Sequence, residues 1–185
     1  MKEKTLVKAK MIKPENNEMF DVIIVGAGPA GMSAALCAAR GHLKTLIIEK
    51  ALPGGELSTA CIVDNYLGFP KGILGENLAR SMEDHLFEYP IYYTCETLED
   101  LKVERKSKEK IIITDLENQY RAKSVILSVG LEPKRLAKDF ALSFLGRGIS
   151  YCARGDAQSY EGQQVAVLGS GNCACYAADY LTDFV

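Results

Sequence analysis

The hydrophobic pattern changes period several times along the chain, and each change marks an element. Val22-Ile23-Ile24-Val25 is an unbroken β-branched run, the pattern of a strand covered on both faces. From Met32 to Arg40 the residues are small and rich in Ala, which predicts a helix ended by Gly41. Lys44 to Glu49 returns to a strand pattern and closes on an acid. Leu74, Leu78, Met82 and Leu86 recur at nearly helical spacing and predict a helix over 74–86. Short strands are expected at Ile91–Cys95, Leu98–Val103 and Ile111–Thr114, with the mixed charges of 102–110 at a solvated hairpin tip. Gln119 to Lys123 leads into another buried run that ends at Gly130. Finally, Gln164 to Leu168 and the Ala-rich residues after it repeat the opening order of strand, then helix.

Both strand-to-helix junctions carry glycines at the same spacing. The first is Gly26-Ala27-Gly28-Pro29-Ala30-Gly31, and the second is Gly169-Ser170-Gly171-Asn172-Cys173-Ala174, with Ala in the last place. In such a turn the first glycine permits the bend out of the strand. The second lets backbone approach a pyrophosphate, and the third allows close packing of helix on sheet. The free N–H groups and the dipole of the helix attract the anion. Glu49 stands 18 residues after Gly31, near the place where an acid accepts bonds from a ribose hydroxyl. One glycine turn is compatible with any α/β protein. Two of them, 143 residues apart from Gly26 to Gly169, predict two bound dinucleotides.

The expected fold class is therefore α/β: a Rossmann-like domain with a small antiparallel β insertion, plus the start of a second Rossmann-like domain. The expected boundaries are a polar arm at 1–18, the first domain at 19–140, a connector at 141–162 and the second domain at 163–185, with composition shifting after Pro133. One strand and one helix cannot bury each other's apolar faces. The 185 residues are accordingly expected to be a piece of a longer chain, a truncated product or half of a split protein.

Composition removes alternatives. Lys and Arg total 22 against 24 Asp and Glu, a net charge of −2, so no nucleic-acid partner is expected. No apolar run approaches the roughly 20 residues of a membrane span, and the lysine-rich start lacks the apolar core of a signal peptide. That predicts a cytoplasmic chain with no membrane contact. The cysteines at 37, 61, 95, 152, 173 and 175 include no C-x-x-C pair, and only His42 and His85 are available besides. No zinc spacing can be assembled from these, so reduced thiols and no metal are expected.

Between the two glycine turns lie Gly54-Gly55-Glu56-Leu57, Asp64-Asn65-Tyr66-Leu67-Gly68-Phe69-Pro70, Ser128-Val129-Gly130 and Gly146-Arg147-Gly148-Ile149-Ser150-Tyr151-Cys152-Ala153. In order and spacing, the whole set resembles the low-molecular-weight thioredoxin reductase family of flavoproteins. The resemblance implies FAD on the first turn, held by Gly26, Gly28, Pro29, Ala30 and Gly31, with Glu49 on the adenosine ribose. It implies Gly55, Glu56 and Asn65 along the flavin side, and Gly130 also at the cofactor. NADPH or NADH would occupy Gly169, Gly171 and Ala174. The implied partner is a thioredoxin-like or ferredoxin-like electron carrier, and the implied assembly a homodimer.

The chain departs from that family at the redox centre. The family's C-x-x-C followed by Asp is written here Cys152-Ala153-Arg154-Gly155-Asp156, so Gly155 replaces the cysteine that faces the flavin. One thiol cannot close an intramolecular disulfide. Cys152 and Asp156 remain the candidate catalytic residues. Cys152 acting through a mixed disulfide, or with Cys173 or Cys175, stands beside Cys152 as a small packed residue. Arg154 is a cation next to Cys152 and would favour a thiolate. Cys173 and Cys175 are expected as packing residues of the second helix, with helix-activated thiols as the alternative. The implied function is that of an FAD-dependent oxidoreductase moving electrons between a nicotinamide nucleotide and an acceptor without the usual dithiol. A flavoprotein like the ferredoxin–NAD(P) reductases and a non-catalytic flavin-binding protein stay open beside it.

Overall fold

Strand β1 (Met19–Val25) lies at the centre of the first half because it is apolar on both faces. Its Val22 stands opposite Thr45 of β2 (Thr45–Glu49) and opposite Ser124 of a long strand, 119–127, with parallel pairing on both sides. The computed structural model describes residues 11–60, 62–131, 136 and 143–185. Cys61, Pro133, residues 1–10 of the expected arm and the expected domain end at 140 lie outside the described residues. The chain divides into two compact units, Met1–Gly130 and Leu131–Val185.

In the first unit, helix α1 (Pro29–Arg40) follows β1. It begins three residues before the expected Met32, because proline suits a first helical position, where its missing N–H leaves no bond unmade. After β2 come a short 3-10 helix (Gly55–Thr59) and two paired two-residue strands, β3 (Ile62–Val63) and β4 (Ile73–Leu74). Helix α2 (Gly75–Leu86) matches its expected span to within one residue. Strands β5 (Tyr92–Cys95), β6 (Leu98–Val103), β7 (Lys110–Thr114) and β8 (Gln119–Leu127) complete the unit. The two runs expected at 119–123 and 124–130 are thus one strand.

The six main strands pair in the order β5-β2-β1-β8-β7-β6, parallel from β5 to β8 and antiparallel from β8 to β6. The expected antiparallel insertion therefore continues the parallel sheet through β8. Only Glu96 and Thr97 separate β5 from β6, although these strands stand at opposite ends of the ladder. Three virtual bonds span at most about 11 Å. A flat six-strand ladder would be about 24 Å wide at about 4.8 Å per step. The antiparallel strands must therefore fold back over one face of the parallel ones, and the core agrees. Phe20, Ile23, Val25, Leu46 and Ile48 share one buried cluster with Ile112, Tyr120 and Ala122. The opposite face, with Val22, Ile24 and Ile47, packs on Met32, Ala35 and Ala39 of α1 and on Leu86 and Ile91. Ahead of β1, Ile12 lies parallel to Tyr92, donating to Ile91 O at 3.3 Å and accepting from Tyr93 N–H at 3.0 Å.

The second unit is smaller. Helix α3 (Ala153–Asp156) runs into a 3-10 turn (Ala157–Tyr160), and helix α4 (Asn172–Leu181) follows the second glycine turn. Arg154 of α3 stacks over the Tyr180 ring of α4 at 5.6 Å. Residues 164–168, expected as a strand, join no ladder among the described residues. Val165, Val167 and Leu168 are 37%, 40% and 80% exposed. A strand is stabilised by its neighbours, and no described strand pairs with this one.

Candidate functional site

At the end of β1, Gly26 turns with φ +99°, and its N–H donates to Ile48 O at 2.8 Å. A Cβ on Gly26 would lie 2.3 Å from Ser128 O, so only glycine fits this approach. Gly31 is tighter still: its Cβ would sit 1.8 Å from Gly26 O. Between them Gly28 caps α1 with backbone alone, and nothing lies within 4 Å of where its side chain would be. The same helix end has Pro29 in its first turn, no side-chain cap and no acid. Gly28 and Ala30 thus stand at an uncapped positive helix end beside open space, with Gly31 packed beneath them.

Glu49 lies at the rim of this turn. One carboxylate oxygen accepts Ala27 N–H at 2.6 Å and the other accepts Ala51 N–H at 3.1 Å. An ionised carboxylate has about four acceptor positions, so both oxygens keep capacity for ribose hydroxyls. Gly55 (φ +52°) brings its backbone against the turn, its Cβ position 3.2 Å from Gly28 Cα. Glu56 lies in the first turn of the 3-10 helix, while Asn65 and Gly130 are exposed, Gly130 with φ +70°. The structure thus gathers Gly26, Gly28, Pro29, Ala30, Gly31, Glu49 and Gly55 at one end of the sheet. No described contact joins Asn65 or Gly130 to that group.

Sequence reasoning noted Ser128-Val129-Gly130 but gave no role to Ser128, whose hydroxyl donates to Val25 O at 2.9 Å and Gly26 O at 3.0 Å and so fastens β8 to the turn. It also passed over Tyr93, whose hydroxyl donates to Ala51 O at 3.0 Å and holds the segment after Glu49. A serine ending an apolar strand run was the available signal for the first; the second needs the β2–β5 pairing to be known.

The second turn has the same local plan. Gly171 caps α4 with backbone alone and is open, with no acid in the first turn. The Cβ position of Gly169 lies 2.9 Å from the Cβ of Ala174, the residue in the third motif position. Cys173 and Cys175 are exposed, which corrects the expectation that they pack. Helix α4 buries only Leu181, so most of its surface faces away from any core.

At the Cys152 centre the thiol sulfur accepts Gly155 N–H at 3.4 Å, and Cys152 N–H donates to Ser150 Oγ at 3.0 Å. Asp156 accepts from Ser150 Oγ at 2.6 Å. Cys152 is half-buried and bonded to backbone rather than a fully packed core residue. Arg154 directs its guanidinium to Tyr180.

Both glycine turns fit a dinucleotide: each offers an open, uncapped helix end with no acid to repel a phosphate. A sequence profile of the pyridine nucleotide-disulphide oxidoreductase family matches residues 20–185. The chain belongs to this family. It is 37% identical to the thioredoxin reductase of Bacillus subtilis over 167 residues, covering 90% of this chain and 52% of the relative. The structure is similar to that of Lactococcus lactis thioredoxin reductase in its FR conformation, with TM-score 0.80 and 33% identity over 89% of this chain and 53% of that one. A ferredoxin-flavin thioredoxin reductase from Clostridium acetobutylicum matches with TM-score 0.57 and 30% identity, over 90% of this chain and 57% of that one. The chain thus spans about half the length of these family members.

Proposed function

We propose that this chain supplies the FAD-binding part, and the opening of the nicotinamide-nucleotide part, of a thioredoxin-reductase-like oxidoreductase. The observation that carries this reading is the first turn: an open glycine at an uncapped helix end, with the Glu49 carboxylate fixed at its rim. Gly26, Gly28, Pro29, Ala30 and Gly31 would hold the FAD pyrophosphate, and Glu49 the adenosine ribose. Gly55, Glu56, Asn65 and Gly130 would line the remainder of the cofactor, and Gly169, Gly171 and Ala174 would take NADPH or NADH. Bound FAD supplies the hydride and electron chemistry. The chain's own residues bind and orient it, and the Ser128 and Glu49 bonds hold the turn in its binding geometry before the cofactor arrives.

The acceptor side is read from Cys152. With Gly155 three residues on, electrons would leave without an intramolecular dithiol, either for a thioredoxin-like protein through a Cys152 mixed disulfide that an external thiol then resolves, or directly for a ferredoxin-like carrier. The likeness to a ferredoxin-flavin reductase supports keeping the second route. The test is anaerobic absorbance of the flavin-loaded protein. Bleaching of the flavin band by NADPH or NADH is expected, with slow or absent reduction of thioredoxin and re-oxidation by ferredoxin or a viologen. A protein that takes up no flavin would overturn the cofactor assignment. A flavin that neither nucleotide bleaches would favour a non-catalytic flavin-binding protein.

A further inference from the structure

Glu96 is 5% exposed and lies where the chain crosses from β5 to β6, at the seam where the sheet folds back on itself. One of its carboxylate oxygens accepts Thr94 Oγ1–H at 2.6 Å, Tyr120 O–H at 2.9 Å and Asn118 Nδ2–H at 3.1 Å. The other accepts Thr114 Oγ1–H at 2.5 Å. These donors come from β5, β7, the β7–β8 turn and β8, and all four are uncharged. A buried carboxylate is expensive unless its acceptor positions are filled, and here one residue gathers donors from β5, β7 and β8.

The same residue reaches the nucleotide turn. Glu96 N–H donates to Glu49 O at 3.0 Å, extending the β2–β5 ladder by one bond. The Glu49 carboxylate in turn accepts the N–H groups of Ala27, inside the glycine turn, and of Ala51. An unbroken series of direct bonds therefore runs from the antiparallel strands through Glu96 and Glu49 to Ala27. We propose that Glu96 is a positioning residue for the adenosine end of the nucleotide site, its buried carboxylate fixing the β5–β6 crossover and, through its own backbone, the seat of Glu49. This rests on the reading of the first turn as a dinucleotide site.

Spatial succession alone does not establish coupling, so the test reads the far end of the series. Amide hydrogen exchange in the full chain is compared among wild type, Glu96→Ala and Glu96→Gln. In Glu96→Ala, Ala27 and Ala51 N–H are expected to exchange about tenfold faster, the loss of roughly one hydrogen bond. Ile23 and Ile24, in the middle of β1, are expected to change far less. Glu96→Gln keeps an oxygen for three of the donors and offers Thr114 Oγ1 a donor to accept, so it is expected to restore most of the protection. Should Glu96→Ala not fold, Thr114→Val removes one donor and is expected to give the same pattern at about threefold. Unchanged exchange at Ala27 and Ala51, or an equal rise at Ile23 and Ile24, would overturn the proposal, the latter by showing mere loss of stability.

A second arm uses ligands. Glu96→Ala should weaken FAD about tenfold while leaving FMN, which lacks the adenosine half, unchanged; equal weakening of both would also overturn the proposal. If the wild-type chain binds no FAD, the cofactor assignment fails while the exchange arm still decides the positioning role.

Discussion

The two glycine turns carry nearly the same motif, yet they stand in opposite circumstances. Gly26–Gly31 grows out of β1, whose Ile23 and Ile24 are fully buried between helices and antiparallel strands. Gly169–Ala174 follows Val165–Leu168, which has no described strand partner and faces solvent. Even so, both turns place an open glycine before an uncapped helix of at least ten residues. The turn and helix end follow from local chemistry, glycine freedom and the first helical bonds. The strand before them is a collective property of its neighbours. Local motif therefore predicts where a phosphate would bind, while sheet context decides how firmly the turn is held.

The largest contrast should come from a charge placed in each strand. Ile24→Asp buries a carboxylate without a partner, at a cost of at least about 4 kcal/mol. That is of the order of a small domain's whole stability, about 5–15 kcal/mol, so the first unit should unfold. Val167→Asp, on an exposed residue, should change stability by no more than about 0.5 kcal/mol. Limited proteolysis with fragment mapping reports each unit separately. Comparable protection lost in both would mean that the second strand is buried in solution and that the contrast is false.

The third motif position gives the next test. Gly31→Ala places a methyl 1.8 Å from Gly26 O, a clash that the backbone must shift to relieve, and should cost about 2–3 kcal/mol through overpacking. Ala174→Gly removes a methyl from a helix and should cost about 1 kcal/mol from propensity alone. Thermal unfolding followed by circular dichroism measures both. A Gly31→Ala protein as stable as wild type would show that the first turn relaxes freely and is not held by its sheet.

Smaller again is the effect of restoring a cysteine at 155, which asks whether the second unit keeps its local geometry without a sheet. A Cβ on Gly155 would lie 3.8 Å from Cys152 Cβ, the mean separation in disulfides, about 3.8 Å. Gly155→Cys should therefore close a disulfide with Cys152 under mild oxidation and stabilise the unit by about 2 kcal/mol, the small gain of a very short loop. Titration of free thiols before and after oxidation, with Cys152→Ser as control, checks this. Unchanged thiol numbers would mean that the 152–155 turn does not hold this shape in solution.

Much of this arrangement was legible in the sequence. The β-branched run of 22–25, the Ala-rich helix and the Leu74–Leu86 periodicity each report a local burial pattern, and each became an element close to its expected span. The two glycine turns were legible because glycine is demanded by backbone, not by distant contacts. Three features were not. Val165–Leu168 has strand composition, but composition does not supply a pairing partner. Cys173 and Cys175 have the composition of packing residues, but α4 buries only Leu181 among the residues it presents. Glu96 reads in sequence as one more acid in a charged stretch, and its burial appears only when β5 and β6 are seen to stand at opposite ends of one folded ladder.

The smallest expected effect is the acid sensitivity that Glu96 adds at that seam. Burial alone would raise the Glu96 carboxyl, but the bonds from Thr114, Thr94, Tyr120 and Asn118 outweigh it and hold its pKa below the ordinary value of 4.5. A carboxyl whose pKa is lower folded than unfolded contributes stability that is fully present above the unfolded value and is lost as pH falls through the folded value. Glu96→Gln resembles the protonated acid in shape and hydrogen bonding, so it should be less stable than wild type at pH 7 by about 1 kcal/mol. Glu18 and Asp21 are also held low by lysine partners, which gives both proteins a common acid slope that cancels in the difference. Urea unfolding from pH 7 down to about pH 3 should therefore show a wild-type advantage that is constant above pH 4.5 and shrinks below it. An advantage that persists undiminished at the acid end would mean that shape, not the negative charge of Glu96, holds the seam, and that the sheet of the first unit closes without help from ionisation.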